Sequence, residues 1–184
     1  MAGLLLLAMA LPVSSWAEGA PVPIRLQVEL LFMIAGHDRN LSARAGGHVR
    51  TLVLTKETDG SAHVAAQFQA AAAAKPFVAG LPHQVEVAPF TRPSALAEAC
   101  KARRVAIVYL TTGFTDREAS AIGEALEGCS VLTATAAPAM VRHGIVLGFD
   151  LVSGRVKLLF DRVQASRQRV DFGPEVLALT AVPR

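Results

Sequence analysis

The chain has 184 residues, 52% of them hydrophobic, 18% charged and 5% aromatic, with a formal net charge of +3. That is enough apolar content for one packed domain, too little length for two, and it excludes a disordered tail. Scarce aromatics, and Lys and Arg that are scattered rather than striped, exclude a base-stacking platform or a nucleic-acid groove, so no nucleic-acid partner is expected.

The chain opens MAGLLLLAMALPVSSWAEGA. Leu4 to Val13 is apolar but too short to span a bilayer, and Ser15-Trp16-Ala17 puts small residues at the two positions a signal peptidase reads. Residues 1–17 therefore read as a signal peptide cleaved after Ala17, with 18–22 as a linker and 23–184 as the exported domain. Only the amino terminus supplies positive charge before the apolar core. No Cys follows that core, which closes the lipoprotein route. In an oxidising compartment Cys100 and Cys129, an even pair without CxxC spacing, are expected to form a disulfide.

Ile24 to Ala35 fits both a strand alternation and a helix face; its length favours helix, ended by Gly36. HDRNLSARAGGHVRTLVL, residues 37–54, then passes from helix to strand, with Asp38, Arg39 and Asn40 packed at the junction. Val49 to Thr55 reads as a β-branched strand. Turn residues from Thr58 to Ser61 precede an Ala-rich helix from Ala62 to Ala74. Gln84 to Phe90 alternates as a second strand, and Ser94 offers an N-cap for a helix from Ala95 to Arg103. Arg104 to Leu110, RVAIVYL, has the continuous apolar run of a strand covered on both faces. Thr115-x-x-Glu118 is a capping box opening a helix to Glu127, and Ser130 to Thr135 is the next strand. Ile145 to Leu151 and Arg155 to Phe160 flank Val152-Ser153-Gly154 as a hairpin. Short helices follow from Arg162 to Gln168 and from Pro174 to Leu179.

Alternating strands and helices imply an α/β single domain. It would have a mostly parallel sheet, crossover helices and a C-terminal antiparallel hairpin. Ligands in such a sheet sit off the carboxyl ends of the strands. The loops there carry no G-x-G-x-x-G and no P-loop. Thr111-Thr112-Gly113 before a helix start could hold an anion, though turn and capping chemistry is the plainer account. No G-x-S-x-G is present, and the histidines at 37, 48, 63, 83 and 143 lack ligand spacing. No catalytic set, cofactor or metal is therefore expected. For Asp38, Arg39 and Asn40, local backbone hydrogen bonding at the junction outweighs ligand binding.

The DRNL junction (Asp38 to Leu41), Arg44-Ala45-Gly46 ahead of the first strand, RVAIVYL with its Thr-rich turn, and the tail GFDLVSGRVKLLFDRVQASRQRVDFGPEVLALTAV together resemble the YfiR/HmsC-like family of periplasmic proteins. The resemblance covers Pro23 to Val182. It implies a Rossmann-like periplasmic domain without a known catalytic centre. It also implies a partner: the periplasmic domain of an inner-membrane signalling protein, such as a diguanylate cyclase held in check. The alternative is a single-lobe small-molecule binding protein serving a transporter or sensor kinase; one lobe would need a homodimer to close a cleft. Candidate contacts are Asp38, Arg39, Asn40, Thr111 and Thr112, with Val176 and Leu179 of the last helix as apolar docking surface.

Overall fold

A computed structural model describes residues 21–178 and 180–181. The expected signal peptide and Leu179 lie outside them. The elements are α1 (Ile24–Ala35), α2 (Leu41–Ala45), β1 (Val49–Thr55), α3 (Asp59–Ala73), β2 (Phe77–Val78), β3 (Leu81–Pro89), α4 (Pro93–Arg103), β4 (Val105–Leu110) and α5 (Asp116–Ala125). There follow β5 (Leu132–Thr135), a 3-10 turn (Pro138–His143), β6 (Leu147–Val152), β7 (Arg155–Phe160), α6 (Arg162–Arg167), α7 (Pro174–Leu177) and β8 (Thr180–Ala181). The strands form one sheet in the order β2-β3-β1-β4-β5-β6-β7-β8. From β3 to β6 all neighbours are parallel; β2 and β7 run antiparallel to β3 and β6. This is the expected Rossmann-like α/β class with its C-terminal hairpin.

Each face of the sheet carries its own core. Phe32 of α1, Phe68 of α3 and Tyr109 of β4 gather on one face, with Phe149 and Phe160 from the hairpin. Leu52, Val108 and Leu110 meet Leu96 of α4 and Ile122 of α5 on the other. All six residues of β4 are buried, as its apolar run required. The pairing of β1 with β4 skips Ala106 between Arg50 and Thr51, a bulge that breaks the alternation of β4 at its start.

Helix α1 resolves the ambiguous first segment. Gln27 stands on its buried face, where a strand reading would have turned it outward. Its Nε2 donates to the Val22 carbonyl at 2.8 Å and its Oε1 accepts the Tyr109 hydroxyl at 2.7 Å. Val22 is itself buried, so packing starts within the expected linker. Tyr109→Phe strands Gln27 Oε1 without a donor in the core. It should lower the unfolding free energy by about 1–2 kcal/mol, measured by urea denaturation, and Gln27→Leu in the same chain should recover part of that.

Several boundaries differ from the sequence reading. Thr58 caps α3 by accepting the Ser61 N–H, so the helix starts three residues before Ala62. Ser94 is not an N-cap: Arg92 holds that place and Pro93 occupies the first turn, where its missing N–H costs nothing. Leu81 to His83 belong to β3, which is joined to β2 by Ala79-Gly80 with φ of 51° and 78°, the left-handed pair a tight hairpin demands. The expected Cys100–Cys129 bridge is not formed. Both cysteines are free and buried, Cys100 on α4 and Cys129 in the turn before β5. A bridge needs closely opposed Cβ atoms, and each sulfur here is packed among apolar neighbours of the same core instead. Burial, reinforced by the nearby charge of Cys129, pushes the Cys100 thiol up to about 12, which leaves it unreactive at neutral pH.

Candidate functional site

Strand order reverses between β1 and β4, so the crevice that α/β sheets use for ligands lies off the ends of those two strands. Thr55-Lys56 leaves β1 there, and Thr111-Thr112-Gly113 leaves β4. The Lys56 N–H donates to Ser61 Oγ at 2.8 Å. Thr111 Oγ1 gives its one proton to the Leu54 carbonyl at 2.8 Å, so Ser61 must be the donor in the 2.6 Å contact between the two hydroxyls. Thr111 is thus a buried tie between strands rather than an open ligand group. Thr112 lies over Gly60, and a side chain on Gly113 would meet Thr58 and Lys56. The two loops close on each other.

The charge at this point is matched inside the chain. Lys56 Nζ lies 2.6 Å from Glu118 Oε1 and sits over the rings of Phe90 and Phe114, at 5.6 and 5.8 Å from their centroids. Glu118 also closes the expected capping box, accepting the Thr115 N–H at 3.0 Å. The Lys56 hydrogen bond, then the Thr115 N–H, hold the Glu118 carboxyl below its ordinary value. An anion arriving here would find the helix starts already carrying Asp59, Asp116 and Glu118. The site is a filled crevice; Lys56 was not singled out from sequence, and Ser61 and Glu118 were read only as turn and capping residues.

The Asp38-Arg39-Asn40 junction is a clamp between distant parts of the chain. Asp38 Oδ1 accepts the N–H groups of Asn40 at 3.0 Å and Asp171 at 3.1 Å. Its other oxygen pairs with the Arg44 guanidinium, and both side chains are almost wholly buried. Burial draws the Arg44 guanidinium down to about 10. Asn40 Nδ2 donates to the Arg169 carbonyl at 2.9 Å, while Arg39 meets Asp171 at 3.5 Å on the surface. Asp38 also bridges to Phe172 as an isolated antiparallel pair. Beside the clamp opens a cavity of about 480 Å³ bounded by Asn40, Arg162, Arg169, Phe172 and Leu177. Val176, expected to offer apolar docking surface, is buried in the core; Leu177 is half-buried. The structure does not bring Asp38, Arg39 and Asn40 together with Thr111 and Thr112: the first set ties α1 to the C-terminal segment, the second lies at the carboxyl end of β4.

Among the described residues, no helix is long and apolar enough to cross a membrane. A profile of the YfiR/HmsC-like family matches residues 39–181. No curated protein matches the chain. Among solved structures, a conserved domain protein from Vibrio cholerae matches with a TM-score of 0.57 and 16% identity, over 88% of this chain and 60% of its own. The ligand-free, open form of a substrate binding protein with adhesive properties from Clostridium difficile matches with a TM-score of 0.55 and 7% identity, over 79% and 57%. The chain spans about three fifths of the length of each, and at such identities the likeness is one of fold.

Proposed function

Because the chain belongs to the YfiR/HmsC-like family, we propose that it is a non-catalytic periplasmic regulator that docks on the periplasmic domain of an inner-membrane signalling protein, a diguanylate cyclase being the first candidate. Export would follow from the segment Met1 to Ala17, giving a mature chain that starts at Glu18. The observation that carries the reading is the crevice at the strand ends. Where related architectures admit a ligand, this chain places its own Lys56–Glu118 pair and the interlocked hydroxyls of Ser61 and Thr111. Surface, rather than an interior pocket, is then left to do the work. A soluble domain controls a membrane sensor only by preferring one of its states, and a preference of a few kcal/mol holds a sensor mostly off. That lies within the range of an ordinary protein interface.

The test uses the gene's own host. Deletion of the gene should raise cellular cyclic di-GMP. Tagged protein recovered from the periplasm, with an intact mass that starts at Glu18, should capture an inner-membrane cyclase from solubilised membranes. Unchanged cyclic di-GMP together with no captured signalling protein would sink the reading. A single-lobe binding protein would instead show a ligand-dependent rise in Tm and open the crevice between Lys56 and Glu118.

A further inference from the structure

Strand β3 is nine residues long, but its outer neighbour β2 pairs only with Leu81 and Pro82. The His83 N–H still finds an outer partner, the Pro76 carbonyl at 2.8 Å. Phe90, seven residues on, donates inward to the Thr55 carbonyl at 2.8 Å. Backbone groups in a parallel ladder alternate sides, so Val85 and Val87 turn their N–H and C=O groups away from β1. Among the described residues no strand lies along that side. A free edge of this kind is a template for another strand.

The same strand forms one wall of a groove whose other wall is α4. At the helix's C-terminal end is a cavity of about 490 Å³ lined by Arg50, Gln84, Glu86, Arg103 and Arg104. Farther along is a slot of about 140 Å³ lined by Leu52, Leu54, Ala88, Phe90 and Leu96, with Arg92 at its margin. Arg103 lines both, so the two run into each other. Arg50, Arg103 and Arg104 thus line the cavity and Arg92 the slot, against one carboxylate, Glu86, which Arg103 already pairs. A free strand edge, an apolar slot and a cationic cavity lie side by side.

We propose that this groove is a docking site for an extended acidic peptide segment of a partner protein, added to the sheet as a further strand beside β3. Backbone pairing to Val85 and Val87 would hold the segment. Its side chains on one face would then alternate into the groove, carboxylates to Arg50, Arg103 and Arg104 and an apolar residue to the slot. The charge selects the occupant. A second copy joined edge to edge would set the same arginines against themselves, whereas an acidic segment neutralises them. The proposal deepens the docking reading above and rests on it for the partner's identity.

The probe is a fluorescein-labelled nine-residue peptide with aspartate at positions 1, 3 and 5, valine at positions 7 and 9 and threonine at the even positions, so that one face carries both the carboxylates and the apolar side chains; a control has lysine at the aspartate positions, and both are titrated into the purified protein by anisotropy. Saturable binding of the acidic peptide is expected, at least tenfold tighter than the control. It should be weakened at least tenfold by Arg92→Glu with Arg103→Glu, two exposed side chains. Hydrogen exchange, which needs no variant, should slow at the Val85 and Val87 amides when the peptide binds. Absence of saturable binding, equal binding of the lysine peptide, or binding with those amides unchanged would each overturn the proposal. So would a dimeric free protein in which they are already protected. Capture from membranes separates this groove from the broader reading. If the double variant still captures the signalling protein as well as the wild type, docking stands and the groove falls. If the peptide binds but no membrane protein is captured, the groove stands and the regulatory reading falls.

Discussion

Asp38→Ala should be the most damaging single substitution outside the large core residues, lowering the unfolding free energy by about 3–5 kcal/mol. The Arg44 guanidinium stays charged even with its value drawn down to about 10, so removing Asp38 strands a cation in the interior. The Asn40 and Asp171 N–H groups lose their acceptor in the same step. For a domain whose whole stability is about 5–15 kcal/mol this threatens folding itself, with a fall in Tm on the order of 10 °C. Asp38→Asn keeps an oxygen for the two N–H groups but not the charge, and should fall between. The diagnostic variant is Asp38→Leu with Arg44→Met. Apolar replacement of both ions removes the uncompensated charge, so the double variant should be more stable than either Asp38→Ala or Arg44→Ala, although the two backbone donors remain unmet. If Asp38→Ala and Asp38→Leu/Arg44→Met melt at the same temperature, the ion pair is not what holds the junction.

This clamp also shows how far the sequence could be read. Asp38, Arg39 and Asn40 stood out as a polar knot, and Asp38 and Asn40 bond to local and distant backbone. Their partners were harder to find, because Asp171 and Arg169 lie some 130 residues away and no local pattern links them. Arg44 had a signal: Leu41, Arg44 and Ala45 fall at i, i+3 and i+4, so one face of α2 carries them inward together. The sheet was legible because RVAIVYL and the capping box at Thr115 are local signals. The free edge of β3 was not, since a strand's neighbours are set by topology rather than by its own residues. The same holds for the crevice. Lys56 becomes notable only when the order of strands sets it beside Glu118, 62 residues on. The cysteines erred in the other direction: compartment and count suggested a bridge, and the packing around each sulfur decided otherwise.

Acid should loosen the fold through His83 before any carboxylate is involved. His83 stands on β3, with Nε2 2.9 Å from Thr51 Oγ1 and its ring edge-on to Phe32 at 4.4 Å between centroids. Burial lowers its value from 6.5 to about 4, and a hydrogen bond to the Lys75 backbone only partly opposes this. The folded chain therefore refuses a proton that the unfolded chain accepts. Above pH 6.5 neither state is protonated there and stability is full; as pH falls from 6.5 toward 4 the unfolded state gains protons and stability drops. At pH 5 the loss should be about 2 kcal/mol, the folded form being still neutral. Glu118, with a lowered carboxyl, acts in the same direction but later, because its contribution is lost only as pH falls through the range below 4.5. Urea denaturation at pH 7 and pH 5 separates the two. His83→Gln keeps a partner for Thr51 and has no proton to gain, so it should be less stable than the wild type at pH 7 but lose about 2 kcal/mol less on going to pH 5. Parallel pH dependence in the two proteins would assign the acid sensitivity elsewhere. Because His83 ties the β3 wall of the arginine groove to α1 through Phe32, its protonation would release the β3 edge first. Hydrogen exchange at Val85 and Val87 should then accelerate between pH 7 and pH 5 beyond the intrinsic chemical rate, and by less in His83→Gln.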